Sequence, residues 1–142
     1  MRALKKEEKA DRLTREAALN LAILAHTQIH NLHVLLKDEE WRGRVARVSA
    51  SRALLTTERM LIAFPIQSLG NAPAMVEFSR FPASLATAAE IYTNLETAVR
   101  ATKTNDRAVI FDEYNKQMER LDDSVELQLS KLKKLLRSGE DS

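Results

Sequence analysis

The sequence predicts an all-α protein, and three observations support this fold class. Only three glycines and three prolines occur in 142 residues, which leaves little room for β-hairpins. The alternation of apolar and polar residues that marks half-buried strands is absent. Apolar residues instead recur three or four positions apart in four segments. We therefore expect one domain over residues 1–142, a four-helix bundle with long first and last helices.

The first predicted helix is built around a segment, residues 17–36, that contains no Asp, Glu, Lys or Arg in a chain that is 30% charged. Residues 1–16 are expected to be a solvated helical lead-in, and the helix to continue to about Lys37. Its core face is formed by apolar residues three or four positions apart. They are Ala18, Leu21, Ala25, Ile29, Leu32 and Leu36.

The opposite face of this helix is neutral, where a surface helix would carry Lys and Glu. Asn20, Thr27 and Asn31 lie there at 100° per residue. We expect this face to be covered, either by another helix of the chain or by a second subunit or protein partner; the alternative is a solvent-exposed surface that merely lacks charge. It is the predicted interaction surface.

All three histidines of the chain, His26, His30 and His33, fall within an arc of about 60° beside the core face. Histidines four residues apart can chelate a divalent metal, and a third could complete the site. The run HTQIHNLH lacks the H-E-x-x-H motif of metalloproteases. Because one helical face rarely supplies a full coordination shell, half-buried, hydrogen-bonded histidines are the favoured interpretation and a metal site is the alternative.

The stretch of residues 41–52 has the densest positive charge and begins with Trp41. It could bind nucleic acid, with arginines on phosphates and the indole stacking on a base. The arginines concerned are Arg42, Arg44, Arg47 and Arg52. Four arginines and one aromatic residue are a small footprint, so we favour a solvated connector or the outer face of the second helix, with a helix break near Gly43.

The second predicted helix spans about residues 49–64, and an irregular apolar connection of residues 65–82 follows it. Pro65 ends the helix, and Gly70, Asn71 and Pro73 mark a turn. Because the connection is rich in apolar side chains, we expect it to pack over an end of the bundle. A small-molecule pocket there is an additional hypothesis.

The third and fourth predicted helices run from about Pro82 to Lys103 and from about Asp106 to Arg137. The fourth has a heptad-like pattern and is expected to pair with the first helix in an antiparallel manner. Its apolar positions include Phe111, Tyr114, Met118, Leu121, Val125 and Leu132. Three acidic residues of this helix are predicted to form a solvated face: Asp122, Asp123 and Glu126. Residues 138–142 are predicted to be a frayed tail.

Two short segments resemble the start of the soluble helical part of uncharacterised bacterial proteins that are tethered by one N-terminal membrane helix. One is Glu16-x3-Asn20-Leu21, and the other runs from Phe81-Pro82 to Tyr92 and Leu95. The resemblance implies no activity, cofactor or site residue. It adds the soluble domain of a single-pass membrane protein as an alternative to a cytoplasmic protein.

Signatures of enzymes are absent from the sequence. There is no cysteine, glycine-rich phosphate loop, G-x-S-x-G motif or Glu-x-x-His pair. We therefore expect a non-enzymatic interaction module without a cofactor, acting as a homodimer or with a protein partner through the neutral face. Metal or ligand binding at the histidines is the first alternative, and nucleic-acid binding the second.

Overall fold

A computed structural model of the chain describes residues 2–38 and 50–138. Within these ranges the chain forms five α-helices and contains no β-strand, which confirms the all-α prediction. The helices are α1 (Arg2–Leu35), α2 (Ala50–Ala63), α3 (Ala72–Phe78), α4 (Arg80–Ala101) and α5 (Arg107–Ser138). Short 3₁₀ turns precede α3 (Ile66–Leu69) and α5 (Thr104–Asp106).

The first helix ends two residues before the predicted Lys37. The amide of Lys37 donates to the carbonyl of Val34 at 3.1 Å, and that of Asp38 to the carbonyl of Leu35 at 3.0 Å. These bonds span three residues and tighten the end of the helix into 3₁₀ geometry. The predicted break at Gly43 lies outside the described residues.

The connection between α2 and α4 is fixed by one asparagine. The Asn71 Oδ1 accepts the Ala74 amide at 3.2 Å and caps α3, while its Nδ2 donates to the Leu135 carbonyl of α5 at 3.3 Å. Gly70 before it has a φ of +66°, a left-handed conformation in which a Cβ is unfavourable. The turn therefore depends on both residues.

Several apolar side chains of this connection are buried, as the sequence predicts, whereas Val76 is exposed. Leu69, Phe78 and Phe81 expose 5% or less of their surface, and the Phe64 and Phe78 rings lie 5.0 Å apart. A cavity of about 270 Å³ opens beside these two rings, and it is apolar apart from Ser79. The Ser79 hydroxyl already donates to the Val76 carbonyl at 2.7 Å, so no set of polar groups converges in this cavity.

The first and last described helices pack along each other in antiparallel directions. Asp11 and Arg15 near the start of α1 line a cavity with Leu135 and Leu136 near the end of α5. His30, further along α1, contacts Asp122, further back along α5. The pairing predicted between these helices is therefore confirmed, and α4 packs against both α2 and α5.

The buried face of α1 agrees with the predicted face except at one position. Leu21 is only half-buried, and Ala22 is fully buried in its place. The core contains five residues of α1 and the residue that follows it: Ala18, Ala22, Ala25, Ile29, Leu32 and Leu36. Three alanines at this seam let the α1 backbone approach its neighbours closely, which brings the adjacent edge of α1 near α5.

Candidate metal centre

The histidine edge of α1 faces an aspartate on α5. His26, His30 and His33 are one helical turn apart, and helical geometry places them in a row. Asp122 lies four residues after Met118 and three before Val125, both of which are fully buried. The packing of α1 on α5 therefore carries this carboxylate into the seam, directly opposite the row of histidines.

Each histidine makes a hydrogen bond to the same carboxylate. His26 Nε2 lies 3.0 Å from Oδ1 of Asp122, while His30 Nδ1 and His33 Nδ1 lie 2.9 and 3.0 Å from Oδ2. An ionised carboxylate only accepts hydrogen bonds, so each of these ring nitrogens carries the hydrogen that it donates. Four side chains from two helices thus form one polar cluster around Asp122.

Asp122 is buried and negatively charged. It exposes 5% of its surface. Burial raises the pKa of the Asp122 carboxyl, but hydrogen bonds from His30 and His33 and the charges of His30 and His26 outweigh it, so that the pKa lies below its usual range. A buried anion whose hydrogen-bond partners among the described residues are imidazoles is a favourable position for a cation.

The prediction that Asp122 belongs to a solvated acidic face is wrong. Its neighbours Asp123 and Glu126 are exposed, as predicted, but Asp122 is buried against α1. The burial of Asp122 could have been inferred from the sequence, because Met118, Asp122 and Val125 follow the spacing of one buried helical face. A carboxylate at such a position must find partners within the protein.

The solvent exposure of the four side chains increases from Asp122 towards the surface. The side chains of Asp122 and His33 expose 7% and 11% of their surface, that of His26 20% and that of His30 53%. The favoured prediction of half-buried, hydrogen-bonded histidines therefore describes His26 well. The carboxylate is the floor of the site, and His30 is its edge towards solvent.

Three of these side chains form a group that could hold a metal ion. One ligand atom each from His26, His30 and Asp122 lies within 4.8 Å of the other two, and no other group of three or more such side chains occurs in the described part of the chain. Bonds of about 2.0–2.1 Å to a tetrahedral metal place ligand atoms ~3.3 Å apart. The distances from the His26 and His30 nitrogens to the Asp122 oxygens, 3.0 and 2.9 Å, are close to this spacing.

His33 does not belong to this group of three. Its Nδ1 bonds Asp122, and its Nε2 is buried without a hydrogen-bond partner among the described residues. Its ring lies 6.2 Å from that of His30. The group that could hold a metal thus contains two of the three predicted histidines and an aspartate, and His33 contacts the same carboxylate.

The other predicted site residues do not form a site with these. Asn20, Thr27 and Asn31 are exposed, so the expectation that another helix of the chain covers the neutral face is wrong for the described residues. Arg52 is exposed on α2, beside Arg59. Arg42, Arg44 and Arg47 lie outside the described residues, and the nucleic-acid hypothesis stays a prediction.

Comparison with protein-family models, curated proteins and solved structures finds no match to this chain. No helix in the described residues combines the length and apolar character needed to cross a membrane. The arguments for a function therefore come from the chemistry of the cluster and from the exposed faces of the helices.

Proposed function

We propose that this protein is a helical bundle that binds a divalent transition metal at His26, His30 and Asp122. The observation that supports the proposal is the convergence of three histidines of α1 on one buried carboxylate of α5. Two imidazoles and a carboxylate suit zinc and its neighbours in the first transition series, such as cobalt, nickel and iron. The role is that of a metal-responsive binding module rather than an enzyme.

Binding requires the two histidines to change tautomer. In the metal-free protein the contacting nitrogens of His26 and His30 bear hydrogens, and on binding a neutral imidazole moves its hydrogen to the other ring nitrogen and offers a lone pair. The cation replaces the two donated hydrogen bonds and neutralises Asp122. His33 keeps its own hydrogen bond to the second carboxylate oxygen.

The test is a zinc titration of tag-free protein, followed by calorimetry and by competition with a chelating indicator. Wild type should bind one zinc ion, and His30→Ala and Asp122→Asn should each weaken binding by at least about tenfold. Asp123→Asn removes a neighbouring exposed carboxylate and is the matched control, with affinity expected to stay at the wild-type value. Equal weak binding by all four proteins would refute the proposal.

A second candidate function is self-association through the neutral face of α1. Its motivation is that this face is exposed and carries no charge between residues 17 and 36, while three large apolar side chains are exposed on it. They are Ile23 (37%), Leu24 (38%) and Val34 (51%). Two copies can bring such faces together without like-charge repulsion, because neither contributes a charged side chain.

Light scattering behind a sizing column tests this candidate. Wild type should have the mass of a dimer, and Asn31→Lys should be monomeric because it buries two charges at the contact. Gln117→Lys, which adds the same charge at an exposed position of α5, should stay dimeric. A wild-type monomer at high concentration would reject the candidate.

A further inference from the structure

We infer that the metal centre is open: three protein side chains hold the ion, and the remaining coordination position faces solvent and takes a small anionic ligand. This inference rests on the proposed metal-binding function. It assigns His26, His30 and Asp122 as ligands and His33 as a positioning residue. It also distinguishes a reactive or ligand-sensing centre from a closed structural one, which has four protein ligands.

The first argument is the number of ligands. Structural zinc sites use four protein side chains, whereas sites that accept an exogenous ligand use three. The group formed here by described residues has three members, His26, His30 and Asp122. His33 is not a member of this group; its Nδ1 donates to Oδ2 of Asp122 at 3.0 Å, and its side chain exposes 11% of its surface.

The second argument is the direction in which the site opens. Asp122 exposes 7% of its side chain and lies beneath the ion, while His30 exposes 53% and lies at the outer edge. An ion held by these groups therefore has protein on its inner side and solvent beyond His30. The fourth ligand reaches it from that side without displacing a core residue.

The third argument is charge. A divalent ion bound by two neutral imidazoles and one carboxylate keeps a net positive charge at the centre. The groups that contact Asp122 are histidines, and no second carboxylate of the described residues joins the cluster. An anion such as azide or a small carboxylate is therefore a better fourth ligand than a neutral molecule.

His33 has a different task from the two metal-binding histidines. Its Nδ1–H donates to Oδ2 of Asp122, the oxygen that His30 also contacts, and so holds the carboxylate in the orientation in which it faces His26 and His30. Hydrogen bonds of this kind to a metal-binding carboxylate change metal affinity about 10–100-fold when they are removed. An asparagine can reproduce the donor, because its amide nitrogen occupies nearly the same place as Nδ1.

The experiment uses the full chain loaded with Co²⁺, whose visible absorption bands report the number and type of ligands. Azide is then titrated into wild type and the exposed-carboxylate control Asp123→Asn. The bands of both proteins should shift saturably with azide. A cobalt spectrum that stays unchanged at high azide would show a closed site and overturn the inference alone, whereas failure to bind cobalt would overturn the proposed function and this inference together.

Two His33 variants test the positioning role. His33→Leu should bind Co²⁺ about 10–100-fold more weakly, yet keep the wild-type band positions and the azide response. His33→Asn should recover most of the affinity. If His33→Leu instead changes the band positions to those of a centre with one nitrogen fewer, His33 is a metal ligand and the assignment is wrong. Circular dichroism of each variant before loading establishes that it is folded.

Discussion

Asp122 links the stability of the metal-free protein to pH. Its folded-state pKa is below the ordinary value of 3.8, so the unfolded chain binds a proton more readily than the folded one. The stabilisation is complete above the ordinary pKa and is lost as pH falls through the lower folded value. The carboxylate therefore contributes to stability at neutral pH and makes the protein sensitive to acid.

Asp122→Asn should lower the free energy of unfolding near neutral pH by about 1.5–3 kcal/mol, because three donors lose a charged acceptor. Below the ordinary pKa the difference from wild type should shrink. Urea unfolding over a pH series, with a chelator present, measures both effects. Asp123→Asn should follow the wild-type curve, and a constant difference between Asp122→Asn and wild type at all pH values would contradict the argument.

Tyr92 links the stability of the folded protein to pH in the alkaline range. It is fully buried, and burial together with the charge of Glu96 raises the pKa of Tyr92 to about 12. The chain has two tyrosines, so Tyr114→Phe leaves Tyr92 as the single reporter. Its tyrosinate absorbance should have a midpoint near 12 in the folded protein and near the ordinary value of 10.0 in urea. Stability should decline as pH rises from 10.0 towards 12.

At the level of secondary-structure elements, the seam between α1 and α5 depends on a few buried side chains. Ile29 is fully buried and lies between the histidine turns, whereas Ile23 on the same helix exposes 37% of its surface. Ile29→Ala should cost about 2–5 kcal/mol through lost contacts and a cavity. Ile23→Ala should cost below about 1 kcal/mol. Chemical unfolding measures the free energy of unfolding of both variants. Equal losses of stability would mean that α1 does not pack against its neighbours as described.

The helices could be predicted from the sequence because their signals are local. Residues 49–64 were expected to be helical and α2 spans Ala50–Ala63, since the apolar period and Pro65 define both ends. The cluster of histidines around Asp122 could not be predicted from local sequence patterns. Asp122 is 92 residues from His30, and their contact depends on how α1 and α5 are rotated about their axes. The one indication of this contact in the sequence is that Asp122 shares the helical spacing of the apolar residues around it.

For the whole molecule, metal binding should appear as a gain in thermal stability. A ligand at about 100 times its Kd that binds only the folded state adds ~2.7 kcal/mol. For a chain of 142 residues this corresponds to a rise in Tm of about 5–10 °C. Differential scanning calorimetry with zinc should show this rise for wild type and Asp123→Asn, but not for Asp122→Asn. A rise of equal size in Asp122→Asn would place the bound ion elsewhere.

The long separation between His30 and Asp122 also has a kinetic consequence. Contacts between residues 92 positions apart form late in folding, because the entropy of loop closure must be overcome before the contact stabilises anything. If an ion bridges α1 and α5 as proposed, it should contribute little to the folding transition state, and most of its binding energy should be lost before the two helices separate. Metal should slow unfolding while leaving the folding rate nearly unchanged, so its main effect is a longer lifetime of the native state.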